Sequence, residues 1–205
     1  KANNSADTLS VTDYKSREVT GNKSGIVNQI EYSNMLISQV ILTSGSPFIN
    51  SEGKETEATI VYAPSGTNNT WNITGEDEGT ITVAGGTPQS FKGNVLVGGG
   101  DNDTFIFDGP YHISGFIDGG SGGTNEIQGT DDGNNWILTG DSQGSYQKAA
   151  FKRIHTLTGG GGNDYFTIHN KGSIAPINGS HGRNTLNYSN CIKKLTLGRT
   201  NQTTT

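Results

Sequence analysis

The chain has little of the material from which helical or α/β proteins build their cores. Only 30% of its 205 residues are hydrophobic, and it contains one cysteine and one methionine. The single cysteine, Cys191, excludes an internal disulfide and a cysteine-ligated zinc site. No apolar run is long enough to span a bilayer, because the best candidate, MLISQVILTSG, is interrupted by polar residues. We therefore expect no membrane insertion.

Glycine is what the chain has in abundance, with 31 residues. The few apolar residues form short β-branched and aromatic runs bounded by Gly, Asn and Asp, which is typical of ordered β structure. The net charge of -5 is modest and spread along the chain, which disfavours nucleic acid as a partner. These features predict an all-β protein.

Internal repeats organise the chain. LVGGGDNDTFIF matches the later segment LTGGGGNDYFTI, with Asp103 over Asp164 and Phe105 over Phe166. Upstream, NNTWNITGEDEGT matches GNNWILTGDSQGS at a slightly larger offset, with a Trp at the same place in each. We predict one domain over 1–205 that is a fragment of a longer protein, divided into a partial repeat 1–67, repeats 68–132 and 133–198, and a tail 199–205.

A finer period runs through both repeats: an apolar residue, any residue, then glycine. The glycines recur at intervals of about 20 residues, at Gly75, Gly98, Gly119, Gly140, Gly159 and Gly179. A unit of this size cannot bury its own apolar face, so such units must stack. We predict a parallel β-solenoid (a β-helix or β-roll) with coils of about 20 residues, in which glycine marks the corners and an apolar column fills the interior.

The corner sequence GGGGND admits three explanations. A tight structural corner needs glycine for its backbone and Asp or Asn for its amides. A phosphate loop would have to lead into a helix, and this segment leads into a strand pattern. A calcium-binding corner would use turn carbonyls and an Asp side chain as oxygen ligands. The first and third explanations stay open.

The calcium explanation rests on a resemblance. GGGGNDYFT (159–167) fits the nonapeptide of the repeats-in-toxin (RTX) family, and 98–106 fits it less closely because Asp101 stands at a glycine position. The family's fold is a right-handed β-roll held by calcium. The resemblance implies candidate calcium ligands at Asp103, Asp164, Asp101 and Asn184, where Asn184 replaces the family's aspartate and Thr124 stands at the equivalent position of another copy. No other cofactor is expected.

A wider resemblance covers the chain from about Asn68 onward. IHTLTGGGGNDYFTI followed by INGSHGRNTLNYSN is similar to the repeat arrays of filamentous-haemagglutinin-like and related giant bacterial adhesins. It implies a structural and adhesive segment of a secreted or surface-exposed bacterial adhesin or toxin, associated with virulence, that extends the chain or presents a binding surface. The implied partners are a surface protein or glycan of host or bacterial cells and the flanking repeats of the parent chain. The resemblance also favours a right-handed solenoid.

An enzyme is the weaker hypothesis. A carbohydrate-active β-helix would need converging carboxylates, and the acidic cluster at Glu76, Asp77 and Glu78 has only Asp141, Ser142 and Gln143 as its counterpart. The four histidines lack metal-site spacing. Trp71 and Trp136 recur at matching positions, which favours packing over sugar stacking. The insertion 44–69 predicts a hairpin excursion, with a partner-binding loop as the alternative. We expect no catalytic residues.

Overall fold

The computed structural model describes residues 7–12, 17–19, 24–27, 30–33, 37–49, 55–169, 172 and 176–191, with side chains from 58 onward. Within these residues it is all-β, as predicted, and no helix is long and apolar enough to cross a membrane. The strands are β1 Asp7–Thr12, β2 Arg17–Val19, β3 Ser24–Val27, β4 Ile30–Ser33, β5 Ile37–Ile49, β6 Glu55–Tyr62, β7 Asn69–Gly75, β8 Glu78–Val83, β9 Gln89–Lys92, β10 Val95–Val97, β11 Asp103–Phe107, β12 Phe116–Asp118, β13 Glu126–Gln128, β14 Asn135–Gly140, β15 Gln143–Tyr146, β16 Ala149–Lys152, β17 Thr156–Thr158, β18 Tyr165–Ile168, β19 Ile177–Asn178 and β20 Thr185–Asn187.

The strands form two large mixed sheets and a small one. Sheet 1 has ten strands in the order β1-β5-β6-β10-β12-β16-β15-β14-β18-β20. Sheet 2 has seven, in the order β19-β17-β13-β11-β7-β8-β9, and β2, β3 and β4 form the third sheet. From β10 to β13, and again from β17 to β20, consecutive strands alternate between sheets 1 and 2.

Parallel pairing stacks the core residues into columns. In sheet 2 the registers place Trp71, Phe105, Ile127, Leu157 and Ile177 directly beside one another. The corresponding column in sheet 1 is Val61, Leu96, Ile117 and Phe151. Apart from Ile177, these residues are buried, and they belong to one apolar cluster. Side chains alternate along each strand, so one residue in two enters this cluster and a low hydrophobic content is sufficient.

The two sequence repeats share one plan of strand pairing. Trp71 pairs with Ile81 and Phe105 in the first repeat, and Trp136 pairs with Tyr146 and Phe166 in the second. The equivalent strands nevertheless lie in opposite sheets: β7–β9 are in sheet 2, and β14–β16 are in sheet 1. Side chains before 58 and all of 192–205 lie outside the described residues, so the partial repeat 1–67, the end of repeat 133–198 and the tail stay predictions.

The prediction that every apolar-x-Gly unit marks a corner between stacked coils is wrong at two of six positions. Gly75 and Gly140 lie at hairpins, where β7 pairs antiparallel with β8 and β14 with β15. Each hairpin continues into a third antiparallel strand, β9 or β16, so each repeat contains a three-stranded meander. The Asp and Glu residues that follow Gly75 suit a two-residue hairpin turn as well as a solenoid corner, and spacing alone does not separate the two.

The insertion 44–69 contains the predicted hairpin. Strands β5 and β6 pair antiparallel from Val40 opposite Tyr62 to Ile49 opposite Glu55, with an irregularity between Ser44 and Pro47. Residues 50–54 of the insertion lie outside the described part of the chain. Strand β6 then pairs in parallel with β10, which joins the hairpin to the stacked strands.

Candidate functional site

The predicted calcium ligands lie in turns where Asn and Asp side chains stack from layer to layer. Asn69 donates hydrogen bonds from its backbone N and its Nδ2 to Oδ1 of Asp103, at 3.2 and 2.6 Å. The backbone N of Asp103 donates to Oδ1 of Asn125, at 2.9 Å. The side chains of Asp103 and Asn125 therefore each satisfy a buried backbone N–H group of a neighbouring layer, which a turn without water contact requires.

The second repeat builds the same stack. Asn134 donates from its backbone N and its Nδ2 to Oδ1 of Asp164, at 3.1 and 2.7 Å. The backbone N of Asp164 donates to Oδ1 of Asn184, at 2.9 Å. Both aspartates are buried, with at most 1% of their surface exposed. The structure thus brings together Asp164 and Asn184, as the sequence predicted, and adds an Asn on the other side of each Asp.

The position assigned to Thr124 from the sequence is wrong by one residue. Thr104 pairs with Glu126, which places Asn125, and not Thr124, beside Asp103. Thr124 is exposed, and its backbone N donates to Oδ1 of Asn102 at 2.6 Å. The error arises because the turn before Asn125 is one residue longer than the matching turn before Asp103, counted from Gly119 and Gly98.

The two aspartates differ in how fully their oxygens are used. Oδ2 of Asp103 accepts a hydrogen bond from the backbone N of Gly99 at 2.7 Å, so both of its oxygens are occupied. Burial raises the pKa of Asp103 to about 6, against the lowering effect of the bonds from Asn69 and Gly99. Oδ2 of Asp164 is buried and has no hydrogen-bond partner among the described residues. Asp164 is therefore the corner with a free acceptor.

A calcium ion needs six to eight oxygen ligands at short distance. At Asp103 three N–H donors already point at the carboxylate, so a cation would have to displace them. Asp101 shares that turn but is half-buried and forms no hydrogen bond with Asp103. Among the residues with described positions, no group of three His, Cys, Asp or Glu could hold a metal. Calcium at these corners stays a prediction, and Asp164 is the corner that suits it better.

The four glycines before Asp164 follow from close approach between layers. A Cβ on Gly159 would collide with the Asp164 carboxylate, and one on Gly162 would collide with the backbone of the preceding layer. Gly160 has φ +125°, and a Cβ there would meet the carbonyl oxygen of Thr130. Close packing therefore accounts for the glycines of GGGGND.

The tryptophans have the packing role that their recurrence predicted. Trp71 and Trp136 are fully buried, so neither can stack on a sugar. Trp71 stacks on Phe105 with ring centroids 5.5 Å apart, and Trp136 stacks on Phe166 at 5.7 Å. The Nε1 of each Trp lacks a hydrogen-bond partner in the described structure. The same unpaired donor in both repeats shows that ring packing, and not the indole N–H, determines this position.

The three carboxylates of the acidic cluster 76–78 contact different partners. Glu76 contacts Nδ1 of His112 at 3.3 Å, and Glu78 contacts Nζ of Lys92 at 3.5 Å. Asp77 accepts hydrogen bonds from the backbone N and the Oγ of Ser114, both at 2.7 Å. Each carboxylate thus has a separate structural partner. Of the other histidines, His155 accepts a hydrogen bond from the backbone N of Asn125, whereas His169 and His181 are exposed.

Sequence reasoning missed a groove on the outer face of sheet 2. It has a volume of about 560 Å³ and crosses the outward row Asn72, Ile106, Gln128 and Thr158. The registers of β7, β11, β13 and β17 place these four residues side by side. The sequence does show that each of these residues follows a core column residue by one position. To place them side by side, however, the pairing register of the four strands is needed, and the sequence does not give that register.

No protein-family model, curated protein or solved structure matches this chain. The functional conclusion therefore depends on the arrangement of its own residues.

Proposed function

We propose that the chain is a structural and adhesive segment of a secreted or surface-exposed bacterial protein, and that it has no enzymatic activity. Its architecture is a right-handed parallel β-solenoid with coils of about 20 residues, interrupted once per repeat by an antiparallel meander. One observation carries the proposal. Core columns in both sheets continue from layer to layer in parallel register, with one coil length between successive members wherever no meander intervenes.

Stacked layers of this kind give a stiff element that lengthens by addition of repeats. Each layer contacts mainly its neighbours, so stability is a sum of local terms and the length is not limited by a central core. Outward-facing side chains do not pack in the core, so they can differ between layers. Such a surface suits contact with a protein or glycan on a host or neighbouring cell, and its acidity does not suit nucleic acid.

The architecture is tested by distances between spin labels. The labels are attached to cysteines introduced by Thr70→Cys and Thr156→Cys. Both positions lie on the outer face of sheet 2, separated by the two strands that carry Thr104 and Glu126. Three strand spacings of about 4.8 Å predict a backbone separation of about 14 Å. Cys191 is replaced by Ser in all variants. A measured separation of more than five strand spacings would contradict parallel stacking.

The adhesive function is tested with the whole chain. Beads coated with the protein are expected to bind epithelial cells or bacterial cells more than beads coated with an unrelated acidic β protein. Equal binding of both bead types to every cell type would refute adhesion while leaving the architecture intact.

Calcium-dependent folding is the second candidate function, and the free buried Oδ2 of Asp164 favours it. A cation there would neutralise a buried carboxylate oxygen that no donor of the described residues reaches. Melting curves recorded with calcium and with chelator separate this function from the first, because only a calcium-dependent fold gains substantial stability from the cation.

A further inference from the structure

We propose that the groove on the outer face of sheet 2 binds a neutral oligosaccharide in an extended conformation. The groove is defined by Asn72, Ile106, Gln128 and Thr158 on its floor and by Asp108 and Asp131 on its walls. This inference deepens the adhesive part of the proposed function and rests on it for its biological role. The groove's volume of about 560 Å³ lies in the ordinary range for ligand sites.

The floor has the length and direction of a chain-like ligand. Its four residues come from four adjacent parallel strands, β7, β11, β13 and β17, so the row crosses about 14 Å. All four side chains are half-buried, which fixes their positions and leaves one side open. A ligand lying along the row would meet a new side chain at each strand, and this favours an extended oligomer over a compact molecule.

The chemistry of the floor suits hydroxyl groups. The amides of Asn72 and Gln128 form no hydrogen bond within the described part of the chain, so each offers a donor and an acceptor. Ile106 supplies an apolar surface between the two amides, because the strand registers place it between Asn72 and Gln128. Sugars present the same alternation of hydroxyl and C–H surfaces.

The walls decide the charge of the ligand. Asp108 and Asp131 are exposed and form no ion pair among the described residues, and no Lys, Arg or His lines the groove. Carboxylates accept hydrogen bonds from sugar hydroxyls and repel carboxylate, sulfate or phosphate groups. The groove therefore excludes acidic polysaccharides. A cationic peptide would use only the exposed walls, where salt screens the attraction, and would leave the amide floor unused.

The equivalent face of the second repeat lacks this chemistry. Its row is Ile137, Thr167 and Asn187 on β14, β18 and β20, and His169 stands where the first repeat has Asp108. The amide row with acidic walls is therefore not a packing requirement of the repeat. Asn187 is an outward Asn in a matched position and provides the control variant.

The test is an NMR titration of the whole ¹⁵N-labelled chain. The probes are neutral hexasaccharides of glucose, mannose and N-acetylglucosamine, with hexagalacturonate and hexalysine as charged comparisons. We expect at least one neutral probe to shift the Gln128 side-chain amide signals. Gln128→Ala and Asn72→Ala should each weaken binding about fivefold or more, since each removes at least one hydrogen bond, and Asn187→Ala should not.

Three results would overturn the inference: no shift with any neutral probe at millimolar concentration, a shift at Gln128 with hexalysine alone, or unchanged affinity in both groove variants. Unchanged melting temperatures would show that the variants fold. Adhesion of beads that persists in the double variant contradicts the groove as the contact site and leaves the proposed function standing. Sugar binding without adhesion supports the groove and contradicts the adhesive function.

Discussion

The buried carboxyl group of Asp103 makes the stability of the protein depend on pH in a direction that can be worked out. Burial raises its folded-state pKa from 3.8 to about 6. The unfolded chain therefore loses this proton at lower pH than the folded chain does. The contribution of Asp103 to the free energy of unfolding is therefore fully present below about pH 4 and is lost as the pH rises through about 6. Two pKa units correspond to about 3 kcal/mol, and the value of about 6 already includes the lowering of the pKa by the bonds from Asn69 and Gly99.

Replacing Asp103 by Asn removes the titratable group and keeps the shape of the side chain. Asp103→Asn costs a roughly constant amount at every pH, because the new NH₂ group and the N–H donors of Asn69 or Gly99 oppose each other. The informative quantity is the difference in unfolding free energy between wild type and variant, measured by urea denaturation from pH 4 to pH 7.5. We expect the wild type to lose up to about 3 kcal/mol relative to the variant over that range.

A direct measurement separates the two opposing effects. The ¹³Cγ signal of Asp103, assigned by its loss in the variant, should titrate near pH 6. A midpoint at or below pH 4, together with parallel stability curves for wild type and variant, would refute the reasoning. It would show that three hydrogen bonds outweigh burial at this corner.

Three further predictions concern packing and cations. Phe105→Ala should lower the free energy of unfolding by about 3–5 kcal/mol because Phe105 is fully buried. Leu186→Ala should cost less than about half as much because Leu186, in the last described layer, is 40% exposed. Urea denaturation measures both, and equal costs would contradict the placement of Phe105 in the buried core column. Gly160→Ala should destabilise through its positive φ and its collision with a carbonyl oxygen, while Gly100→Ala, whose Cβ would be 3.6 Å from its nearest neighbour, should cost under about 1 kcal/mol in the same assay. Millimolar calcium should raise the melting temperature, followed by circular dichroism, by less than about 2 °C relative to chelator; a larger rise that is lost in Asp164→Ala would establish the calcium function instead.

The residues of the core were predictable from the sequence, and their partners were not. The short apolar runs that contain Phe105 and Phe166 predicted strands that contribute to an apolar column, and the repeats predicted a packing role for the two tryptophans. Spacing alone could not show that Gly75 and Gly140 end antiparallel strands, because a hairpin and a solenoid corner use the same residues. The choice depends on which strand lies nearest in space.

The candidate site was predictable to the same extent. The corner aspartates and Asn184 were identified, but Asn69, Asn125 and Asn134 were not. Each of these three asparagines precedes a buried core residue by two positions, as Asp103 and Asp164 do. A one-residue difference in turn length moved the alignment to Thr124. The groove was missed because its four floor residues are far apart along the chain and come together only through the strand register.

The two repeats exchange sheets because of the number of times that the chain enters a sheet within each repeat; each entry is called a visit. A coil without a meander visits each sheet once, so the chain is back in its first sheet after two visits. Each repeat visits the sheets five times, because its three-stranded meander stays within one sheet: β7–β9, β10, β11, β12 and β13 lie in sheets 2, 1, 2, 1 and 2. Five is odd, so β14–β16 must begin the next repeat in sheet 1. Similar sequences therefore face opposite sides of the molecule. A surface such as the proposed binding groove is then presented on one face by one repeat, and a third repeat of the same plan would return to that face.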